Sequence, residues 1–107
     1  MSTDEERAIL GTIVRTIAAR PGVKRIILFG SRAEGRARSD SDFDIFLVIE
    51  TGMDKRDIYM DIMKELVNPD YSIDLLVSDE AEYERQLEEG WLVLQSIHDR
   101  GRLLYAA

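Results

Sequence analysis

Three short apolar runs constrain this chain more than any other feature. Val23–Phe29, Phe43–Ile49 and Tyr71–Val77 are each seven residues long and dominated by Val, Ile, Leu and Phe. Runs of this length are typical of strands, and turn residues bound them. Gly30 closes the first, Ser39-Asp40-Ser41 precedes the second, and Asn68-Pro69-Asp70 precedes the third. The segments between them carry helical periodicity. Thr3 and Glu6 are spaced as a capping box, followed by Ile9, Leu10, Ile13, Val14 and Ile17, and Arg20-Pro21-Gly22 ends the pattern. Asp54–Val67 repeats the period with Ile58, Tyr59, Ile62, Met63 and Leu66 on one face. Residues 79–89 read as a charged helix holding Tyr83 and Leu87, continued by Trp91–Arg100 and ended at Gly101. Trp91 is expected to anchor that last helix, with exposure at a partner surface as the alternative; Tyr59 and Tyr83 are expected in the core, His98 at the surface or partly packed, and Leu103-Leu104-Tyr105 docked on the body or on a partner. The alternation predicts an α/β layer with a small sheet in one domain spanning residues 1–107.

Composition narrows the chemistry. The 107 residues include no cysteine and one histidine, His98, which excludes disulfides, a thiol nucleophile and multi-histidine metal sites. A hard cation would have to be held by carboxylates. No apolar run is long enough for a membrane span, and the acidic start Met1–Glu6 lacks the basic flank of an export signal, so a cytoplasmic protein is expected.

The net charge of −7 argues against a general nucleic-acid surface, but it is unevenly spread. Residues 1–39 hold eight basic and four acidic groups, +4, whereas residues 40–107 hold six and seventeen, −11. The basic groups are densest between Arg20 and Arg38, as a local anion site would require, although a solvated charged face would look the same.

The candidate site residues lie beside the strands. Asp42 and Asp44 flank Phe43, and alternation along a strand turns both carboxylates to one face, about 7 Å apart. Asp74 interrupts the third apolar run, where an acid is costly, and would stand beside Asp44 if the two strands are neighbours. Three such carboxylates repel one another, and an open-sided oxygen site of this kind suits Mg²⁺ held together with substrate phosphates. Asp42 also fits a second role, capping the turn before its strand. Gly30-Ser31 follows a buried strand, and a glycine there lets a phosphate approach the backbone. Ser31-Arg32-Ala33-Glu34 equally fits the capping box of a short helix. Arg32, Arg36 and Arg38 bring positive charge that a triphosphate would need.

Gly30-Ser31, ten residues, then Asp42-Phe43-Asp44 and a lone acid in the next strand resembles the polymerase-β-type nucleotidyltransferases. Their pattern is GS-x10-D-x-D with a later third carboxylate. The stretch GSRAEGRARSDSDFDIFLVI is similar in detail to the minimal nucleotidyltransferases, as is the ending RGRLLY. The resemblance is dense over residues 24–77 and looser elsewhere. It implies an α/β (α+β) nucleotidyltransferase fold, a small mixed β-sheet flanked by helices.

It also implies that Gly30 and Ser31 grip the β- and γ-phosphates of ATP and that Asp42 and Asp44 bind two Mg²⁺ ions. Asp74 would bind the catalytic metal and help remove the acceptor's proton. Arg32 and Arg36 enter as nucleotide-binding candidates on charge alone. All the signature positions are present, so the resemblance implies an active member. In the minimal subfamily the protein is an antitoxin that adds AMP to a tyrosine of a HEPN-domain ribonuclease, which implies a protein partner and a hetero-oligomer. The acidic run of residues 79–89 agrees with a protein acceptor and against stable nucleic-acid binding. An antitoxin that masks its toxin by contact, and a small-molecule nucleotidyltransferase, are the alternatives.

Overall fold

The computed structural model describes residues 1–107. Helix α1, Thr3–Ala18, starts one residue earlier than its sequence pattern suggested. Ser2 is the cap: its hydroxyl accepts from the Glu5 amide (3.1 Å), and Glu5 Oε1 accepts from the Ser2 amide (3.2 Å). The expected Thr3–Glu6 box does not form, because Glu6 faces Arg32 instead.

Strand β1 is Val23–Phe29, the short helix α2 is Gly30–Ala33, β2 is Phe43–Ile49 and α3 is Lys55–Leu66. Strand β3 is Ile73–Asp79, followed by α4 (Glu80–Glu88), α5 (Leu92–Arg100) and β4 (Arg102–Ala106). The sheet order is β3-β2-β1-β4. Strands β1/β2 and β1/β4 pair antiparallel and β2/β3 parallel, so the sheet is mixed as expected. The parallel pair requires a crossover, which α3 provides.

Alternation along β2 sorts its side chains onto two faces. Ile45, Leu47 and Ile49 join Leu10, Ile13 and Ile17 of α1 and Ile62 and Leu66 of α3 in the larger core. Phe46 and Val48 face the other way, under Tyr83 of α4 and Leu94 and Ile97 of α5. Arg20 locks the end of α1 to α3, donating to the Thr16 carbonyl (2.9 Å), the Asp61 carbonyl (3.1 Å) and Glu65 (2.8 Å). No helix is long and apolar enough to cross a membrane.

Several expectations need correction. Strand β3 is shifted two residues along from Tyr71–Val77, because Tyr71 packs edge-on against Phe43 (5.7 Å) before the strand begins. Tyr59 is exposed, since Ile58 and Ile62 occupy the inward stripe of α3. Trp91 is no anchor. The helical pattern breaks at Gly90, whose φ is +78°, and Trp91 becomes the half-exposed cap of α5, with its indole N–H donated to Glu89 (3.0 Å). The expected tail is an edge strand that seats Leu104 and Tyr105 against the larger core.

Candidate active site

The site begins with strand register. Phe29, the last residue of β1, lies opposite Asp44 of β2, and Asp44 lies opposite Asp74 of β3. Paired residues of adjacent parallel strands project to the same face, about 4.8 Å apart. Asp44 and Asp74 therefore stand side by side on the face of Phe46, at the end of the sheet that α4 and α5 leave open. Asp42 precedes β2 directly and is exposed.

Asp44 senses its surroundings most. Burial raises the Asp44 carboxyl above its usual range, and the charges of Asp74 and Asp42 raise it further. Gly30 completes the corner. Its φ is +73°, and a Cβ there would overlap the Asp44 carboxylate, so only glycine lets backbone and carboxylate meet this closely.

The donor set is hard, anionic and open-sided, which suits a divalent cation that shares its coordination with substrate phosphates. No three His, Asp or Glu side chains are gathered tightly enough in this structure to ligate an ion unaided.

Comparison with known proteins identifies the family. The sequence profile of the family described as "Polymerase beta, Nucleotidyltransferase" matches residues 11–106, most of the chain. The chain belongs to this nucleotidyltransferase family.

Among solved structures, a Sulfolobus solfataricus protein described as a nucleotidyltransferase is similar at 24% identity and a TM-score of 0.62, over 92% of this chain and 78% of that one. A variant of the MntA–HpeT toxin–antitoxin is similar at 20% identity and a TM-score of 0.60, over 92% and 73%. The complex of tri-AMPylated Shewanella oneidensis HEPN toxin with MNT antitoxin matches at 20% identity and a TM-score of 0.56, over 94% and 72%. At these identities the likeness is one of fold. No curated protein matches the sequence significantly.

Arg32 and Arg36, the nucleotide-binding candidates among the three arginines that charge suggested, fare differently. Arg32 is buried and turned away from solvent. Its Nε and Nη2 donate to the Ser41 carbonyl (3.1 and 2.6 Å), Nη1 pairs with Glu6 (3.0 Å), and its guanidinium carbon lies 4.1 Å from the centre of the Phe43 ring. With its donors so committed, it is not available as a phosphate ligand in this structure. Arg36 is exposed and pairs with Glu34 (3.3 Å), beside α2. Ser31 is not the cap of α2: Phe29 holds that position without a side-chain bond, and the Ser31 hydroxyl has no capping task.

Sequence reasoning missed the α5 residues beside Gly30, which share with it a cavity that none of the three carboxylates lines. A cavity of about 180 Å³ beside Gly30 is lined by Phe29, Glu34 and, from α5, Val93, Ser96 and Arg100. No local motif marks these α5 residues, because only the return of the chain over β1 brings them to Gly30. Two roomier cavities, each about 500 Å³, lie along α1, and neither is lined by the carboxylates.

Proposed function

We propose that the protein is a Mg²⁺-dependent nucleotidyltransferase that moves AMP from ATP to a hydroxyl of a partner protein, acting as a cytoplasmic antitoxin toward a HEPN-domain toxin. The observation that carries this reading is the pairing of Asp44 with Asp74 across β2 and β3, with Asp42 immediately before β2 and Gly30 against Asp44.

Asp42, Asp44 and Asp74 would hold the metal ions. Bound there, Mg²⁺ supplies charge neutralisation for both the entering and the leaving oxygen of an in-line displacement. Gly30 and the uncommitted Ser31 hydroxyl offer contacts to the β- and γ-phosphates. Asp74 stands exposed on the edge strand, where an acceptor can approach, and it takes the proton of the attacking hydroxyl. The acceptor oxygen bonds to the α-phosphorus, the bond from that phosphorus to the bridging oxygen breaks, and pyrophosphate leaves.

Two features favour a protein acceptor. Glu80, Glu84, Glu88 and Glu89 give the region after β3 a negative field that disfavours a nucleic-acid primer. Trp91, Leu92 and Val93 are 49%, 83% and 63% exposed, a run of apolar surface at the start of α5 in which Val93 reaches the Gly30 cavity. Among proteins of this fold, one complex holds an AMPylated HEPN toxin beside its antitoxin.

The test is incubation with the co-encoded partner, ATP and Mg²⁺, followed by intact-mass measurement. An AMP adduct on the partner is expected, and it should vanish with the Asp42→Ala/Asp44→Ala double variant. The same exposed apolar run also suits neutralisation by contact. Full neutralisation of the toxin by the double variant would establish that second reading and overturn the first, while an adduct found on a small molecule and never on protein would redirect the acceptor.

A further inference from the structure

We propose that Arg32 is a positioning residue for the Asp42 carboxylate, holding it where Asp44 and Asp74 can share a metal with it. This rests on the reading of Asp42 as a metal ligand.

A guanidinium with a side chain 2% exposed is costly to bury and persists only when its donors are matched. Here its bonds converge on the segment before Asp42. Nε and Nη2 both reach the Ser41 carbonyl (3.1 and 2.6 Å), and Nη2 also lies 3.4 Å from the carbonyls of Arg38 and Ser39. The 38–41 turn is closed on itself by the Arg38 amide to Ser41 Oγ (2.8 Å) and the Ser41 amide to the Arg38 carbonyl (3.1 Å), so gripping its carbonyls fixes the whole turn.

On the other side of Asp42, the fully buried Phe43 ring lies against the same guanidinium (4.1 Å), and its amide donates to the Ser72 carbonyl (2.9 Å). Arg32 thus holds the residue before Asp42 and the residue after it. Nη1 anchors the assembly to Glu6 of α1 (3.0 Å). A planar fork with five donors can serve these partners at once, whereas the compact ammonium of lysine cannot. Groups that orient a metal ligand from behind typically contribute 10–100-fold in metal affinity.

The experiment measures Mn²⁺ binding by electron paramagnetic resonance with a nonhydrolysable ATP analogue present, beside thermal melting and the Mg²⁺ dependence of transfer. Wild type, Arg32→Lys and Arg32→Ala are compared with Arg20→Ala, which removes a second arginine clamp remote from the carboxylates. The expected result is a Mn²⁺ Kd raised about tenfold or more by Arg32→Ala, with Arg32→Lys in between. The Mg²⁺ concentration for half-maximal transfer should rise in parallel. Arg20→Ala should lower Tm and leave the Kd unchanged.

A Kd within twofold of wild type in both Arg32 variants overturns the positioning role alone. Should Arg32→Ala fail to fold, Arg32→Lys decides by the same criterion. A wild-type protein that binds no Mn²⁺ overturns the assignment of the carboxylates, and this role with it.

Discussion

The two faces of the sheet are built from alternate residues of the same strand, yet they differ in kind. On one, Phe43, Ile45, Leu47 and Ile49 are fully buried beneath α1 and α3. On the other, Phe46 and Val48 are covered by α4 and α5, but the next residue on that face is Asp44, where the cover ends. Strand β2 therefore alternates between a face that is packed along its whole length and a face that passes from packing to a partly exposed carboxylate within a few residues. The Asp44 carboxyl, disfavoured as an anion by burial and by Asp74 and Asp42, costs stability at the open end, and the closed face supplies the burial that offsets this.

The comparison can be broken at either face. Asp44→Asn is expected to lower nucleotide transfer by about a thousandfold, the scale of losing an electrostatic stabiliser of the reaction. It should also raise the melting temperature of the metal-free protein, because it removes a carboxylate that burial and its neighbours Asp74 and Asp42 disfavour as an anion. Added Mg²⁺ with ATP should stabilise the wild type and not the variant. A variant less stable than wild type without metal would contradict the repulsion argument.

On the closed face, Ile13→Ala should cost about 2–5 kcal/mol in urea unfolding, since Ile13 is fully buried, while the Kd for ATP in the surviving folded fraction stays the same. Gly30→Ala joins the two kinds of effect. A positive φ at a residue with a Cβ costs about 1–2 kcal/mol, and the overlap with Asp44 should add a loss of transfer larger than the loss of stability implies.

The smallest effect concerns the cover of the open face. Tyr83, bonded to His98 Nδ1 (3.2 Å), is held above the ordinary phenol value of 10.0 chiefly by burial. The folded form then keeps a proton that the unfolded chain has lost, so stability falls as pH rises through about 10. Tyr83→Phe should remove that slope, and denaturation curves across this range check it.

How much of this was legible beforehand depended on whether the signal was local. Strands β1 and β2 appear with the boundaries their apolar runs imply, because β2 is buried along nearly its whole length and β1 buries Val23 and Ile26–Leu28. Strand β3 moved by two residues because Tyr71 has a partner, Phe43, that its own neighbours do not reveal. The Asp44–Asp74 juxtaposition was readable only on the condition that β2 and β3 adjoin, and the parallel register meets that condition.

Arg32 was misjudged for a definite reason. A count of charges says that a guanidinium is present, not whether it turns toward a phosphate or under Phe43. The same limit applies to the start of α1. The Thr3–Glu6 spacing was the visible signal, yet Ser2–Glu5 forms the box, and Glu6 is engaged by Arg32, distant along the chain.

Periodicity, turn residues and the spacing of Gly30-Ser31 from Asp42 and Asp44 are properties of neighbouring residues, and they specified most of the elements, the family and the candidate carboxylates. Strand order, the placing of α5 beside Gly30, the exposure of Trp91 and the inward turn of Arg32 were decided by contacts between distant segments. The closing of loops and the packing of one element on another select among arrangements that the local pattern leaves equal. The chain thus carries its candidate ligands in its local order, whereas the arginine that grips the turn before Asp42 finds its partners only once α1, α2 and β2 have met.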